Sequence, residues 1–210
     1  MKKLFLAFSF TLLAVLVLAN WAAVSAGAQK VANKFLVIVH VARLYGAEPD
    51  QILAMPVHGV TKGQMADTWH APRDGDRRHE GQDIFASRGT PVLSATEGYI
   101  VNVGENSLGG QTVSVIGAGG RIYYYAHLES YAPNIASGDR VTTQTVLGYV
   151  GTTGNAADTP PHLHFGVYAT GGALNPLPLL ADRAVDKNLE SKTQTATEKK
   201  KRRTRLPAAL

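Results

Sequence analysis

The 210-residue chain contains no cysteine. Disulfides and thiolate metal ligands are therefore excluded, and any metal ion that this chain holds must be bound by His, Asp or Glu. The chain also lacks a charge bias outside its C-terminal end. Residues 182–210 hold nine Lys and Arg against four Asp and Glu, which accounts for the whole net charge of +5. The basic pI thus gives no argument for a nucleic-acid-binding domain, and we expect no nucleic-acid partner.

Amphipathic helical patterns are missing from residues 57–180. Short β-branched or aromatic runs alternate there with glycine, and turn residues recur about every eight to twelve positions. The runs are residues 91–94, 98–103, 111–116, 121–127 and 146–150. This pattern predicts an all-β fold with an antiparallel core in a sandwich or barrel, and a hairpin turn at residues 117–120.

The N-terminal end is apolar and uncharged. Lys2 and Lys3 precede an uncharged stretch over residues 4–29, which is typical of a signal peptide and is long enough to span a membrane. We therefore predict a hydrophobic helix within residues 1–28, either a cleaved signal peptide or a membrane anchor. Export is expected in both cases, to the periplasm or cell envelope, with an uncleaved segment held in the inner membrane.

Four segments make up the predicted organisation. Residues 1–28 are the signal or anchor, residues 29–56 a short helix and connector, residues 57–180 the β domain, and residues 181–210 a basic tail. Within the tail, the polar and basic composition of residues 185–210 predicts disorder.

Four of the seven histidines fall in three short strand-like segments, residues 79–83, 123–128 and 161–165. On a strand, His162 and His164 project from the same face into one cleft. His79, Gly81 and Asp83 likewise share a face, and the glycine removes bulk where a metal ion or substrate must approach. Imidazole and carboxylate are ligands that zinc accepts, so this pattern indicates a mononuclear zinc site.

Other interpretations of these residues remain open. His162 and His164 could be a hydrogen-bonded pair in a β core, the segment of residues 79–83 could be a charged edge strand, and His127 could end an aromatic strand. Tyr123 and Tyr125 share the face of His127 if that strand is regular, and would then line a groove or pack in the core. The remaining histidines are interpreted as packing or surface residues: His40, His58 and His70.

Several motifs occur in a fixed order along the chain. They are His79-x-Gly81-x-Asp83, Gly89-Thr90-Pro91-Val92, Tyr125-Ala126-His127-Leu128, the segment of residues 148–154, and His162-Leu163-His164-Phe165. Over roughly residues 57–178 the chain resembles the lysostaphin-type (LytM-like) zinc metallopeptidases. The resemblance implies an antiparallel β core with a groove, one zinc ion, and cleavage of peptide bonds in bacterial cell-wall peptidoglycan by a zinc-activated water.

The resemblance also assigns residues. The implied zinc ligands are His79, Asp83 and His164. The implied catalytic histidines are His127 and His162, which act on the water and the transition state, and which of them is the general base stays open. Arg73 and Tyr125 are candidate substrate contacts, Arg73 also for the oxyanion. Gln82 stands where the family usually has Ile or Val, and we expect its side chain to point away from the metal with little effect on the chemistry.

Two other functions compete with a peptidoglycan endopeptidase. One is a non-catalytic member of the fold that binds the wall or activates other wall hydrolases. The other is a zinc peptidase that acts on an envelope protein. The expected partners are a peptidoglycan peptide and, if the N-terminal segment is uncleaved, the membrane, and the sequence does not predict an oligomeric state.

Overall fold

The computed structural model describes residues 37–73 and 75–183. The predicted signal or anchor and residues 184–210 of the predicted tail lie outside the described residues. Residues 37–45 are helical, within the predicted short helix. In the described part of the chain, none of the helices has the length and apolar character needed to cross a membrane.

The structure is a mostly antiparallel β fold, which confirms the predicted fold class. The strands are β1 (Leu53–Ala54), β2 (Gln82–Phe85), β3 (Pro91–Leu93), β4 (Gly98–Asn106), β5 (Gly110–Ile116), β6 (Ile122–Tyr131), β7 (Arg140–Val141), β8 (Val146–Val150), β9 (His162–Ala169), β10 (Gly172–Leu174) and β11 (Leu180–Ala181). Four short 3₁₀ turns lie between them at Lys62–Gln64, Ala118–Gly120, Gly154–Ala156 and Leu177–Leu179. The second of these turns closes the β5–β6 hairpin that was predicted at residues 117–120.

Among the described residues, the main sheet has nine strands, and it divides along β6. On one side β6 pairs with β5. On the other side it pairs with β9 up to Ala126 and with β8 from Leu128 onward. His127 lies between the two pairings and has a φ of 62°, in the left-handed region that non-glycine residues seldom adopt. The position of His127 is therefore the fork of the sheet.

Alternating burial explains why these segments form strands. Along β6, Tyr123 and Tyr125 are fully buried while Tyr124 is only partly buried, as period-2 side-chain alternation requires. The β-branched residues of β5 fill the same core from the neighbouring strand, with Val113 and Val115 fully buried. Apolar burial of this kind supplies most of the free energy of folding.

The core extends beyond the predicted domain limits. Leu53 and Met55, in the predicted connector, are fully buried, and β1 pairs in parallel with β11. Arg183, in the predicted tail, is held by three backbone carbonyls, those of Met55, Ser94 and Thr143. The first residues of that tail thus belong to the folded domain.

Candidate metal centre

Strands β2 and β9 carry most of the histidine and carboxylate cluster. They pair antiparallel, with Asp83 opposite His164 and Phe85 opposite His162. Residues directly opposite each other in such a pair project to the same face, so all four side chains lie on one side of the sheet. His162 and His164 therefore share a face, as their spacing predicted.

His79 reaches the cluster from outside the strand. The sequence predicted a strand over residues 79–83, but β2 begins only at Gln82. His79 is instead held in an extended segment, where its N–H donates to the Ala71 carbonyl and its own carbonyl accepts the N–H of His70. This pairing within residues 70–79 places the imidazole against β9.

Three ligand atoms converge. His79 Nε2 lies 2.8 Å from His164 Nδ1 and 3.0 Å from Asp83 Oδ1, and the latter two atoms are 3.2 Å apart. A tetrahedral zinc ion with bonds of about 2.0–2.1 Å places neighbouring ligand atoms roughly 3.3 Å apart. In donor type and spacing, these residues fit a single zinc ion. In the described part of the chain they are the one group of three or more potential ligands that meets this test.

Hydrogen bonds to backbone carbonyls fix the proton positions on the surrounding histidines. His79 Nδ1 lies 2.6 Å from the Thr68 carbonyl, His127 Nδ1 2.9 Å from that of Thr153, and His162 Nδ1 2.9 Å from that of Pro160. A carbonyl oxygen only accepts, so each Nδ1 carries a proton and donates it. The Nε2 atom of each ring is then free to bind a metal ion or to accept a proton.

The carboxylate is shared between the cluster and an arginine. Asp83 Oδ1 faces the histidines, while Oδ2 accepts a hydrogen bond from Arg73 Nη2 at 2.5 Å. Burial would raise the pKa of Asp83, but hydrogen bonds and charge from His164 and His79 outweigh it and hold that pKa far below its usual range. Asp83 is therefore ionised at every pH at which the protein would work, as a metal ligand must be.

The two remaining histidines line the open side of the cluster. His162 Nε2 is 3.8 Å from Asp83 Oδ1, and the His127 ring centroid lies 5.0 Å from that of His162 and 5.9 Å from that of His164. Burial lowers the pKa of His127 to about 4 and also lowers that of His164. His127 is thus neutral near pH 7, which leaves its Nε2 able to accept a proton.

Comparison with known proteins matches this region to one family. Residues 77–176 fit the model of peptidase family M23. The chain carries a peptidase M23 domain. It is 36% identical over 126 residues to L-Ala–D-Glu endopeptidase of Bacillus subtilis, covering 57% of this chain and 39% of that protein. It is 35% identical over 108 residues to lysostaphin of Staphylococcus simulans, covering 49% of this chain and 21% of that protein.

A solved structure agrees in fold. Csd3 of Helicobacter pylori superposes with a TM-score of 0.51 at 26% identity, over 72% of this chain and 42% of that one. The present chain spans well under half the length of these relatives. The resemblance to lysostaphin-type peptidases that the motifs predicted is confirmed for the M23 domain.

Of the seven predicted site residues, six lie in or against the cluster of the M23 domain. Arg73 is among them: its guanidinium contacts Asp83, and its side chain is 43% exposed. The exception is Tyr125, for which the expected substrate contact is wrong. Its side chain is fully buried against Phe165, and its hydroxyl accepts the Ala95 N–H at 2.8 Å. Burial raises its pKa to about 12.

The error has a backbone cause. Regular alternation would place Tyr123 and Tyr125 on the face of His127, but the positive φ at His127 interrupts it. The tyrosine on the site face is Tyr124, whose ring centroid is 6.2 Å from that of His164. The register of β6 against β9 decides which tyrosine faces the site. That register is set by contacts between residues distant in sequence, so the sequence pattern of β6 does not show it.

Two further residues at the site went unnoticed in the sequence. Thr68 contacts two of the candidate ligands: its carbonyl accepts the Nδ1 proton of His79, and its hydroxyl accepts the Asp83 N–H at 2.8 Å. It lies in an irregular loop, and the sequence has no pattern that singles it out. Phe85 is 52% exposed and its ring centroid is 5.2 Å from that of His162. It could have been found, since it follows Asp83 by two positions and therefore shares its face.

Proposed function

We propose that this chain is an exported zinc metalloendopeptidase that hydrolyses peptide bonds in bacterial cell-wall peptidoglycan. The observation that carries the proposal is the convergence of His79 Nε2, Asp83 Oδ1 and His164 Nδ1 within 2.8–3.2 Å of one another. Two imidazoles and one carboxylate leave the fourth position of a tetrahedral zinc ion open, as in catalytic sites. When bound, zinc would lower the pKa of a coordinated water to about 7, so that a hydroxide nucleophile is available near neutral pH.

The chain's own histidines supply the proton transfers in this proposal. In the neutral rings of His162 and His127 the proton lies on Nδ1, where it is held by the carbonyls of Pro160 and Thr153, and Nε2 is the acceptor. One of them accepts the proton of the attacking water, and the protonated ring then donates to the leaving amine. The other donates to the oxyanion that forms on the scissile carbonyl only when its own Nε2 carries a proton, because a carbonyl oxygen only accepts. Such general acid–base assistance is typically worth about 10²–10⁴-fold in rate.

Peptidoglycan peptides are proposed as substrate from the sequence resemblance and from the named bonds of two relatives. One is named an L-Ala–D-Glu endopeptidase and another a glycyl-glycine endopeptidase. All three proposed ligands and both accessory histidines are present here, which supports an enzyme over a non-catalytic wall-binding protein. Export is proposed from the uncharged stretch of residues 4–29.

Zinc content and hydrolysis of purified peptidoglycan test the function, with wild type compared with H164A and H162A. We expect H164A to lose both zinc and activity, because it removes a ligand. H162A should keep zinc and lose activity by at least 10²-fold, because it removes a proton-transfer group. Removing zinc with a chelator should abolish wild-type activity, and adding zinc back should restore it.

Each competing function has its own outcome in this experiment. A wild-type protein that binds zinc and wall but releases no peptide products would be a wall-binding protein. A protein that cleaves an envelope protein but leaves muropeptides intact would be a peptidase of different specificity. Full turnover by H162A would show that the role given to His162 is wrong.

A further inference from the structure

Gln82 is a polar residue enclosed in the core beside the metal centre. It is 0% exposed, and it lies on the opposite face of β2 from Asp83, in register with the core residue Phe165. A buried carboxamide costs free energy unless its hydrogen bonds are satisfied. The hydrogen-bond partners of the Gln82 side chain therefore indicate its structural role.

Both ends of the carboxamide bind one loop. Nε2 donates to the Ala66 carbonyl at 2.6 Å, and Oε1 accepts the N–H of Thr68 at 3.3 Å. Nε2 also lies 3.2 Å from the carbonyl of Asp83. The side chain thus joins β2 to residues 66–68, a segment outside the regular strands.

The same loop holds two of the proposed ligands. The Thr68 carbonyl accepts the Nδ1 proton of His79 at 2.6 Å, and the Thr68 hydroxyl accepts the N–H of Asp83 at 2.8 Å. The first bond sets the tautomer and tilt of the His79 ring. The second fixes the backbone from which the carboxylate projects.

We infer that Gln82 is a positioning residue for the metal centre, acting through the loop of residues 66–68 and Thr68 on His79 and Asp83. This inference rests on the proposed zinc site and replaces the expectation that Gln82 has little effect on the chemistry. An apolar residue at this position would leave the Ala66 carbonyl and the Thr68 N–H without these bonds. The Thr68 carbonyl would then no longer be fixed opposite the His79 ring. Loss of such an outer contact typically weakens metal binding by about 10–100-fold.

The test uses Gln82→Met, which keeps the length of the side chain and removes both polar ends. The matched control is Ser94→Ala, which also removes the side-chain hydrogen bonding of a fully buried residue, including the bond from Ser94 Oγ to the Thr96 carbonyl. Two quantities are measured on each full-length protein. They are the zinc dissociation constant, by competition with a chromophoric chelator, and the solvent exchange rate of the His79 Nδ1 proton in the metal-free protein, by NMR.

We expect Gln82→Met to bind zinc at least tenfold more weakly and to exchange the Nδ1 proton at least tenfold faster, while Ser94→Ala matches wild type in both. The inference is overturned if Gln82→Met keeps the wild-type exchange rate or zinc affinity, or if Ser94→Ala changes as much. If wild type binds no zinc, the proposed function fails. The exchange rate of the His79 Nδ1 proton then tests by itself whether Gln82 positions the His79 ring. Should Gln82→Met not fold, Gln82→Asn, whose carboxamide falls short of the loop, takes its place with the same expected direction.

Discussion

At the scale of the residue, the candidate metal centre depends on the missing side chain of Gly81 as much as on the proposed ligands. A Cβ built on Gly81 would lie 2.5 Å from Cε1 and 2.7 Å from Nε2 of His164, and 3.0 Å from the Phe165 carbonyl. Real Cβ atoms essentially never come as close to another atom as the two distances to His164, so the imidazole occupies the space that any other side chain would fill. The glycine was predicted as the gap for a metal ion or substrate, and the structure shows that it makes room for a proposed ligand.

Gly81→Ala should therefore displace the His164 ring. We expect zinc affinity to fall at least tenfold and the free energy of unfolding to drop by about 1–3 kcal/mol, as for other overpacked sites. Zinc titration and thermal unfolding measure the two effects. Gly171→Ala is the control, because its Cβ would have no atom within 4 Å and its φ is not positive. Wild-type zinc affinity in Gly81→Ala would contradict this account.

At the scale of the element, the loop between β8 and β9 contacts the sheet where β6 changes partner at His127. Thr153 Oγ1 accepts the Gln111 N–H at 2.9 Å and donates to the Leu128 carbonyl at 2.8 Å. It bonds β5 and β6 at the place where their register shifts. The Thr153 carbonyl then holds His127 Nδ1. One residue thus joins the strands and orients the proposed catalytic histidine.

Thr153→Val keeps the shape of the side chain and removes both hydroxyl bonds. We expect kcat to fall about tenfold with unchanged zinc affinity, because His127 is oriented by this loop and is not a proposed ligand. Steady-state kinetics and zinc titration on the same preparations separate the two quantities. Thr153→Ser retains the hydroxyl and should keep most of the activity. Equal losses in both variants, or weaker zinc binding in Thr153→Val, would count against this role.

Local periodicity predicted some elements of the site and missed others for physical reasons. His162 and His164 were found because they lie on a regular strand, where spacing of two means a shared face. The face of Tyr125 was wrong because the left-handed backbone of His127 breaks that period. Thr68 contacts His79 and Asp83 across 11 and 15 positions, and such contacts arise from the folded loop, which no local pattern encodes.

At the scale of the whole molecule, Arg183 ties together segments that are distant in sequence. Its guanidinium donates to the Met55 carbonyl at 2.5 Å, to the Ser94 carbonyl at 2.6 Å and to the Thr143 carbonyl. Burial lowers its pKa, although an arginine remains charged in proteins. It lies beside the β1–β11 pair, so the end of the domain is held to its beginning.

Arg183→Met should lower stability and leave catalysis intact. Losing charge-assisted bonds to three carbonyls should cost about 2–4 kcal/mol, a fall in Tm of roughly 5–15 °C for a domain of this size. Calorimetry measures the change, and kcat per folded molecule should equal that of wild type. The control is Arg140→Met, which removes an ion pair whose side chains are 66% and 67% exposed and should cost under about 1 kcal/mol. A large loss of kcat in fully folded Arg183→Met would show that Arg183 contributes to catalysis as well as to stability.

The division of the sheet at His127 separates the requirements of architecture from those of chemistry. Neither of the ladders that β6 forms with β8 and β9 includes this residue: the β9 ladder stops at Ala126 and the β8 ladder starts at Leu128. Replacing its imidazole therefore leaves the interstrand bonds with β8 and β9 in place, and a descendant of this protein could lose the proposed hydrolysis by one substitution while keeping its fold. The scaffold is thus suited to evolve into a recognition module without first being rebuilt.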